Sequence, residues 1–209
     1  MRGFWADEKH DRLNWSKYSF KYKFFKQLEK YLINKAGGVV TLTNASKTIV
    51  STEFRKLHSM IHVIPTCVDA SEFFKYAIVR PSQQLTIGYL GSIDTAYDFK
   101  KFCFFLSQIK KYYGEIELRI FTNGKPNDVR RILDLYDLEI SKLQIKFVKR
   151  GDLAYELSQL HFLAFCLKEN YSVQASMPTK IAEVLACGVP IICNGFNSDV
   201  VQLIQEHDI

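Results

Sequence analysis

The protein has 209 residues, of which 47% are hydrophobic and 24% charged, and its net charge is +6 at pH 7. This composition excludes a disordered chain and allows one or two domains with real cores. No apolar run reaches the ~18 residues that a membrane-spanning helix needs, and the first residues lack the apolar stretch of a signal peptide.

The cysteines indicate a reducing compartment. Their number is odd, no two form a Cys-x-x-Cys pair, and most lie in apolar runs: Cys67, Cys103, Cys166, Cys187 and Cys193. We therefore expect free, mostly buried thiols in a cytosolic protein, and neither a metal site nor a cofactor.

The first third of the chain alternates between helical and extended patterns. Residues 19–36 predict a helix that Gly37-Gly38 ends, and the apolar run 39–43 predicts a buried strand. A second helix is expected from Asn44 to about Leu57, and a short strand over 61–65. No hairpin signal separates these segments.

The alternation restarts after residues 70–84, which we interpret as a linker. The predicted strands cover 85–91, 116–122, 143–148, 161–167 and 190–194. The predicted helices cover 97–111, 127–136, 152–160 and 199–206, with one more between the last two strands. This spacing predicts an α/β fold with a Rossmann-like, doubly wound parallel sheet.

The helix between the last two strands carries the most specific chemical signal. Pro178 suits its first turn and Gly188 its end. The free N–H groups at Thr179 and Lys180, the helix dipole and the Lys180 ammonium favour an anion at the N-terminus. Lys180 and Glu183 share a face because they are three residues apart. A diphosphate can therefore lie at this N-terminus, with Glu183 one turn deeper as an acceptor for sugar hydroxyls.

Segments Pro178–Glu183 and Ala186–Ile192 resemble the donor-binding motif of family 4 retaining glycosyltransferases, which have the GT-B fold. The resemblance implies that Lys180 meets the diphosphate of a nucleotide-sugar as the leaving group, and that Glu183 meets the ribose. Position 175 is alanine, where many members have a glutamate that binds the donor sugar, although some members also lack it. The alternative is a plain helix–strand unit whose lysine and glutamate face solvent.

Turns after other predicted strands are further candidates. Gly91-Ser92 ends one strand, where glycine lets a phosphate approach the backbone. The family often has basic residues in this region; here Ser92 and Tyr97 take such positions, and Lys100 and Lys101 are candidate substitutes. Thr122-Asn123 ends the next strand, where the family lines its nucleotide pocket; plain turns are the alternative at both places. The predicted nucleotide-sugar-binding residues are Gly91, Ser92, Thr122, Asn123, Ser176, Pro178, Thr179, Lys180 and Glu183.

Two more segments resemble the family. Met1–Glu8 resembles a stretch late in the first domain, and Val63–Asp69 resembles the segment before the hinge. The resemblance implies that 1–69 is the tail of the N-terminal acceptor domain, 70–84 the hinge, and 85–209 a truncated C-terminal nucleotide-sugar domain. It therefore implies that the chain is part of a family enzyme, and we expect this chain alone to be inactive as a transferase.

Several polar residues have structural interpretations. We expect His161, at the start of a buried strand, to be structural. Ser172 and Ser176 precede the helix that carries Lys180, and each is either a ligand-binding residue or a plain polar loop residue. Asp7 and Glu8 are a carboxylate pair suited to acid–base work, but we expect them to hold the end of the first domain together through Arg2. No Ser/His/Asp order or Gly-x-Ser-x-Gly elbow is present.

Residues 15–31 are both basic and aromatic. Aromatic residues are interleaved there with Lys17, Lys21, Lys23, Lys26 and Lys30. Such a helix can lie on an anionic membrane surface, and an ordinary amphipathic helix with a lysine-rich outer face is the alternative. We expect no nucleic-acid partner, because no nucleic-acid-binding motif accompanies the basic residues.

The resemblance implies hexosyl transfer from a nucleotide-diphospho-sugar to a hydroxyl group of a polysaccharide or lipid-linked acceptor. We expect this in the cytoplasm or on the inner face of the cell membrane, in cell-surface polysaccharide or glycolipid synthesis. Two alternatives remain. A non-catalytic nucleotide-binding relative is favoured by Ala175, and a GT-B-fold sugar-nucleotide epimerase would need paired acid–base carboxylates, which the second half lacks.

Overall fold

The computed structural model describes residues 3–54, 60–74, 84–94, 96–195 and 198–207. The chain forms two compact units that interleave along the sequence. The first consists of Met1–Thr66, Lys168–Pro178 and Gly195–Asp208, and the second contains Cys67–Leu167 and Thr179–Asn194. The domain boundaries expected from the resemblance stay a prediction.

Helices and strands alternate through most of the chain. The helices are α1 (Trp5–Leu13), α2 (Phe20–Lys35), α3 (Asn44–Glu53), α4 (Ala70–Phe73), α5 (Phe99–Tyr113), α6 (Pro126–Asp134), α7 (Arg150–Ser158), α8 (Thr179–Ala186) and α9 (Ser198–His207). The strands are β1 (Val39–Thr41), β2 (Ile61–Val63), β3 (Leu85–Leu90), β4 (Ile116–Phe121), β5 (Lys142–Lys146), β6 (Phe162–Phe165) and β7 (Ile191–Cys193). A short 3₁₀ helix spans Tyr171–Ala175.

The first unit contains a two-stranded parallel sheet, β1 beside β2. Ser19 caps α2 by accepting a hydrogen bond from the Tyr22 N–H, and Thr43 caps α3 by accepting one from the Ser46 N–H. One apolar core joins the helices to the sheet, and its buried members are Phe4, Ile33, Val39, Val50, Phe54, Ile61 and Ala175. The predicted helix over 19–36 and both predicted strands are confirmed, with ends that differ by one or two residues.

A buried ion pair connects α1 to α2. Asp7 is 3% exposed, its Oδ2 lies 2.6 Å from Lys26 Nζ, and its Oδ1 accepts a hydrogen bond from the Tyr22 hydroxyl. Lys26 Nζ also lies 3.2 Å from Glu29 Oε2. The expected partner of Asp7, Arg2, lies outside the described residues. The carboxylate is therefore held by a lysine on α2, and α1 itself was not predicted.

The second unit is built on a parallel sheet of five strands in the order β5-β4-β3-β6-β7. Each of the first four strands in chain order, β3 to β6, is followed by a helix that leads to the next strand of the sheet: α5, α6, α7 and α8. The central strand β3 is buried along most of its length. Because the strand order reverses between β3 and β6, the switch point where such sheets bind ligands lies at the carboxyl end of β3. The predicted Rossmann-like α/β fold is confirmed.

The second unit also contains the predicted linker and the five cysteines. The predicted linker 70–84 begins with the helix α4, which Asp69 caps by accepting a hydrogen bond from the Ser71 N–H, and Phe73 in this helix is 1% exposed. Residues 75–83 lie outside the described ranges, and the hinge stays a prediction. The expected free and mostly buried thiols are confirmed. Cys67 is exposed and Cys193 half-buried, whereas Cys103, Cys166 and Cys187 are buried.

Candidate functional site

The turn after β3 has a backbone conformation that favours glycine. Gly91 has a φ of +143°, and its N–H donates to the Phe121 carbonyl oxygen at 3.0 Å. A Cβ atom at this position would lie 2.5 Å from Lys180 Nζ and 3.1 Å from the Tyr97 ring. The absent side chain therefore lets a lysine ammonium from α8 come directly against the backbone at the end of β3.

A cavity of about 320 Å³ opens at the carboxyl ends of β3, β4 and β5. It is lined by Leu90, Gly91, Ser92, Phe121, Thr122, Asn123, Phe147 and Val148. Thr122 is fixed in this turn, since its N–H donates to the Lys146 carbonyl and its Oγ1 accepts from the Gly124 N–H. The structure thus brings together four residues that the sequence placed at separate strand ends: Gly91, Ser92, Thr122 and Asn123.

Lys180, on the first turn of α8, is 5% exposed. Its Nζ is buried and has no hydrogen-bond partner among the described residues. Three aromatic rings surround it: Nζ lies 3.4 Å from the ring centroid of Tyr97, 5.0 Å from that of Phe165 and 5.6 Å from that of Tyr89. The alternative in which this lysine faces solvent is therefore wrong.

The burial of Lys180 changes its acid–base behaviour. Loss of water around the ammonium lowers the pKa of Lys180 well below its ordinary value, and the charge of Glu183 opposes this only in part. Burial also raises the pKa of Glu183, against the opposing charges of Arg150 and Lys180. A bound anion next to Lys180 would favour its charged form.

Arg150 is a site residue that the sequence did not indicate. Its Nη1 lies 3.4 Å from Glu183 Oε1, and its Nη2 lies 3.3 Å from Glu72 Oε2. The Arg150 side chain is 62% exposed, so these contacts are weak and replaceable. Arg150 is 33 positions from Glu183 in sequence, and only the fold brings α7 beside α8. In this structure the Glu183 carboxylate is therefore paired with an arginine.

The remaining predicted residues fall in different places. Thr179 is the exposed first residue of α8. Pro178 and Ser176 belong to the first unit, and the Ser176 N–H donates to the Val173 carbonyl oxygen. Ser172 donates through its hydroxyl to Asp11 Oδ2 at 2.6 Å and so has a structural role. The ligand roles of Ser176, Pro178 and Thr179 stay predictions.

Other candidates have structural partners. His161 Nδ1 accepts a hydrogen bond from the Thr86 N–H at 2.9 Å, as expected for a structural histidine. Lys101 lines a separate, apolar cavity with Cys166 and Cys193, and Lys100 is exposed. Across the described ranges, no three His, Cys, Asp or Glu side chains are grouped so that they could hold a metal ion.

Several solved structures with the same fold are glycosyltransferases. TarM of S. aureus, in a complex with Fondaparinux, alpha-GlcNAc-glycerol and UDP, matches 90% of this chain at a TM-score of 0.64 and 15% identity. WaaG, a glycosyltransferase involved in lipopolysaccharide biosynthesis, matches 92% at a TM-score of 0.69 and 10% identity. A glycosyltransferase from Rickettsia africae matches 84% at a TM-score of 0.64 and 15% identity.

The chain spans 36% of the TarM chain, 54% of the WaaG chain and 50% of the Rickettsia chain. No family model matches the sequence, and the search of curated proteins gave no match. In the part of the chain that the structure describes, none of the helices has the length and apolar character needed to cross a bilayer. At these identities the likeness establishes the fold, which is the α/β fold of GT-B glycosyltransferases.

Proposed function

We propose that the second unit binds a nucleotide-diphospho-sugar, and that the chain is part of a family 4 retaining glycosyltransferase. The observation that carries this proposal is the Lys180 ammonium, which is buried, has no hydrogen-bond acceptor among the described residues and lies against Gly91. A buried cation without an acceptor costs free energy, and a diphosphate would supply both the opposite charge and the acceptors. TarM, which shares the fold, is seen with UDP.

The proposed reaction moves a hexosyl group from the diphosphate to an acceptor hydroxyl with retention at the anomeric carbon. Negative charge grows on the departing phosphate as the glycosidic bond breaks. The Lys180 ammonium and the N-terminal dipole of α8 would stabilise that charge, beside Pro178 and Thr179. Glu183 would accept hydrogen bonds from the ribose hydroxyls once Arg150 releases it. Ser92, Thr122 and Asn123 would line the nucleotide pocket.

The proposed acceptor is a polysaccharide or a lipid-linked sugar. WaaG acts in lipopolysaccharide biosynthesis, and its fold is the same. The exposed lysines and aromatic residues of α2 suit an anionic membrane surface, which is where a lipid-linked acceptor would be found. We therefore place the proposed enzyme at the cytoplasmic face of a cell membrane, in the synthesis of a cell-surface glycan.

Calorimetric titration with UDP and GDP tests the proposed site. Lys180→Met removes the charge but keeps an unbranched side chain that is one atom shorter, so affinity should fall about ten- to a hundredfold, the worth of a charge-assisted hydrogen bond. Lys111→Met, at an exposed position on α5, is the matched control and should bind as the wild type does. Equal affinity for the Lys180 variant and the wild type would refute the site.

A non-catalytic nucleotide-binding protein is the second candidate. The observation in its favour is Ala175, which is 1% exposed in the core of the first unit and offers no polar side chain to a donor sugar. This candidate predicts that UDP or GDP binds with the same Lys180 dependence. For the whole protein to which this chain belongs, it also predicts no sugar transfer and no donor hydrolysis across a panel of nucleotide-sugars, whereas the transferase should release the nucleoside diphosphate.

A further inference from the structure

The rings of Tyr97, Phe165 and Tyr89 form an aromatic cage around the Lys180 ammonium, and the Tyr97 ring is the closest of the three. Nζ lies 3.4 Å from the ring centroid of Tyr97, which places it directly over the ring. An ammonium over an aromatic face is attracted by the ring quadrupole. Its three hydrogens remain able to donate away from the ring, since no acceptor among the described residues engages them.

The fold fixes the Tyr97 ring before any ligand binds. Tyr97 forms an isolated antiparallel bridge with Leu167, and the next N–H, that of Asp98, donates to the Cys166 carbonyl oxygen at 2.8 Å. The ring meets Phe165 edge-on, with centroids 6.0 Å apart and planes at 89°. Asp98 then caps α5 by accepting from the Lys101 N–H. The backbone of Tyr97 is thus tied to the segment after β6, and its ring is wedged against that strand.

Tyr97 does not act as an anion at this position. Burial, with a smaller contribution from the Glu183 charge, raises the pKa of Tyr97 to about 12, so the phenol stays protonated. The hydroxyl therefore gives Lys180 no negative partner, and the face of the ring supplies the attraction. Phenylalanine would provide the same face, whereas leucine or methionine would not.

We infer that Tyr97 is a positioning residue that holds the Lys180 ammonium against Gly91, ready to receive a diphosphate. This inference rests on the proposed function of the site. A lysine side chain otherwise loses rotamer freedom when a ligand fixes it, and a ring that fixes it in advance removes that cost from ligand binding. The aromatic ring can hold the ammonium in place because it attracts a positive charge, whereas a second basic residue would repel it.

A double-mutant cycle measured by titration with UDP and GDP tests the inference. Tyr97→Leu should weaken binding about tenfold, in the range of a desolvated cation–π contact, and Tyr97→Met, which fills more of the space, should do the same. Tyr97→Phe should restore wild-type affinity. In the Lys180→Met background, Tyr97→Leu should change nothing, because its effect passes through the ammonium. Tyr113→Leu, at an exposed tyrosine on α5, is the matched control.

Each alternative result has a definite meaning. Unchanged or tighter binding by Tyr97→Leu and Tyr97→Met, beside a wild type that binds, would overturn the inference alone. Equal weakening in both Lys180 backgrounds would assign Tyr97 a merely structural role and overturn it as well, as would a Tyr97→Phe variant as weak as Tyr97→Leu. A wild type that binds neither nucleotide would overturn the proposed function and this inference together.

Discussion

Burial of Lys180 links the stability of the second unit to pH. The unfolded chain holds this lysine at an ordinary pKa near 10.4, whereas burial lowers its pKa in the folded state. Between these two values the unfolded state binds more protons, so the contribution of Lys180 to stability increases as pH rises. Below the folded pKa both states are protonated, and the full cost of burying the charge remains.

Lys180→Met should remove this dependence. Wild-type stability should gain up to about 1.4 kcal/mol per pH unit relative to the variant in that window, and the variant should be the more stable protein at pH 7. Urea unfolding from pH 7 to 10, followed by circular dichroism, measures the difference, with Lys111→Met as the exposed control. Parallel curves for wild type and Lys180→Met would show that the ammonium is not buried in solution.

Among the elements, α1 depends on a single ion pair more than on its own sequence. Only Ala6 and Asp7 are buried within α1, and its N-cap residue, Phe4, makes no side-chain cap hydrogen bond. Asp7→Asn would leave Lys26 with Glu29 as its remaining ion-pair partner, in a setting where the Lys26 side chain is 24% exposed. Breaking a buried pair costs about 3–5 kcal/mol, and the exposure of Lys26 reduces our expectation to about 2–3 kcal/mol.

The two tryptophans make this measurement specific to the first unit. Trp5 and Trp15 both lie in that unit, so their fluorescence reports its unfolding. The urea midpoint from fluorescence should therefore fall in Asp7→Asn. Asp134→Asn, at an exposed residue of α6, is the control and should leave it unchanged. An unchanged midpoint in Asp7→Asn would mean that the α1–α2 contact does not depend on the pair.

The outer surface of residues 15–31, which are most of α2 and the residues just before it and are called the α2 surface, suits an anionic membrane. Tyr18 is 88% exposed and Phe20 83% exposed, and four of the five lysines are exposed as well: Lys17, Lys21, Lys23 and Lys30. Lys26 is taken up by Asp7, so the electrostatic surface is smaller than the sequence predicted. Each exposed lysine near an anionic leaflet contributes roughly 1 kcal/mol.

Vesicle co-sedimentation tests the α2 surface. The wild type should bind phosphatidylserine vesicles, release them as salt rises, and ignore neutral phosphatidylcholine vesicles. Changing Lys17, Lys21, Lys23 and Lys30 to alanine should abolish binding. A variant with four exposed lysines of the second unit changed to alanine has the same net charge and should still bind: Lys100, Lys111, Lys125 and Lys149. An equal loss of vesicle binding in both variants would mean that net charge alone accounts for the binding.

Local patterns predicted most elements because apolar runs, glycines and prolines mark their ends. The strand over 85–91 and the helix over 19–36 were found in this way. α1 was missed because its sequence carries a charged side chain at most positions and no apolar stripe. The strand predicted over 161–167 is shorter, since the N–H of Leu167 turns instead to the Asn194 side chain. A hydrophobic pattern does not show where a side chain competes with the neighbouring strand for a backbone N–H group.

At the scale of the whole molecule, the parallel sheet explains which site residues were predictable. The turns at Gly91 and Thr122 were found because ligands bind at the carboxyl edge of such sheets, and that rule needs only strand order. The aromatic cage was not found, because Tyr97 lies 83 positions from Lys180 and no local pattern joins them. The Arg150 contact with Glu183 was missed for the same reason.

The division into two units predicts which helices and strands a bound nucleotide stabilises. All the residues lining the cavity belong to the second unit, as do Lys180 and Glu183. Saturation at 100 times the dissociation constant stabilises a binding unit by about 2.7 kcal/mol, roughly a hundredfold in its opening equilibrium. Hydrogen exchange with UDP or GDP should therefore slow in β3, β4 and α8, and stay unchanged in α1 and α2. The Lys180→Met variant with UDP or GDP should lose most of this protection. The wild type with uridine, which has no diphosphate, should lose most of it as well. Protection confined to α1 and α2 would mean that the nucleotide binds the first unit, and it would contradict the proposed site.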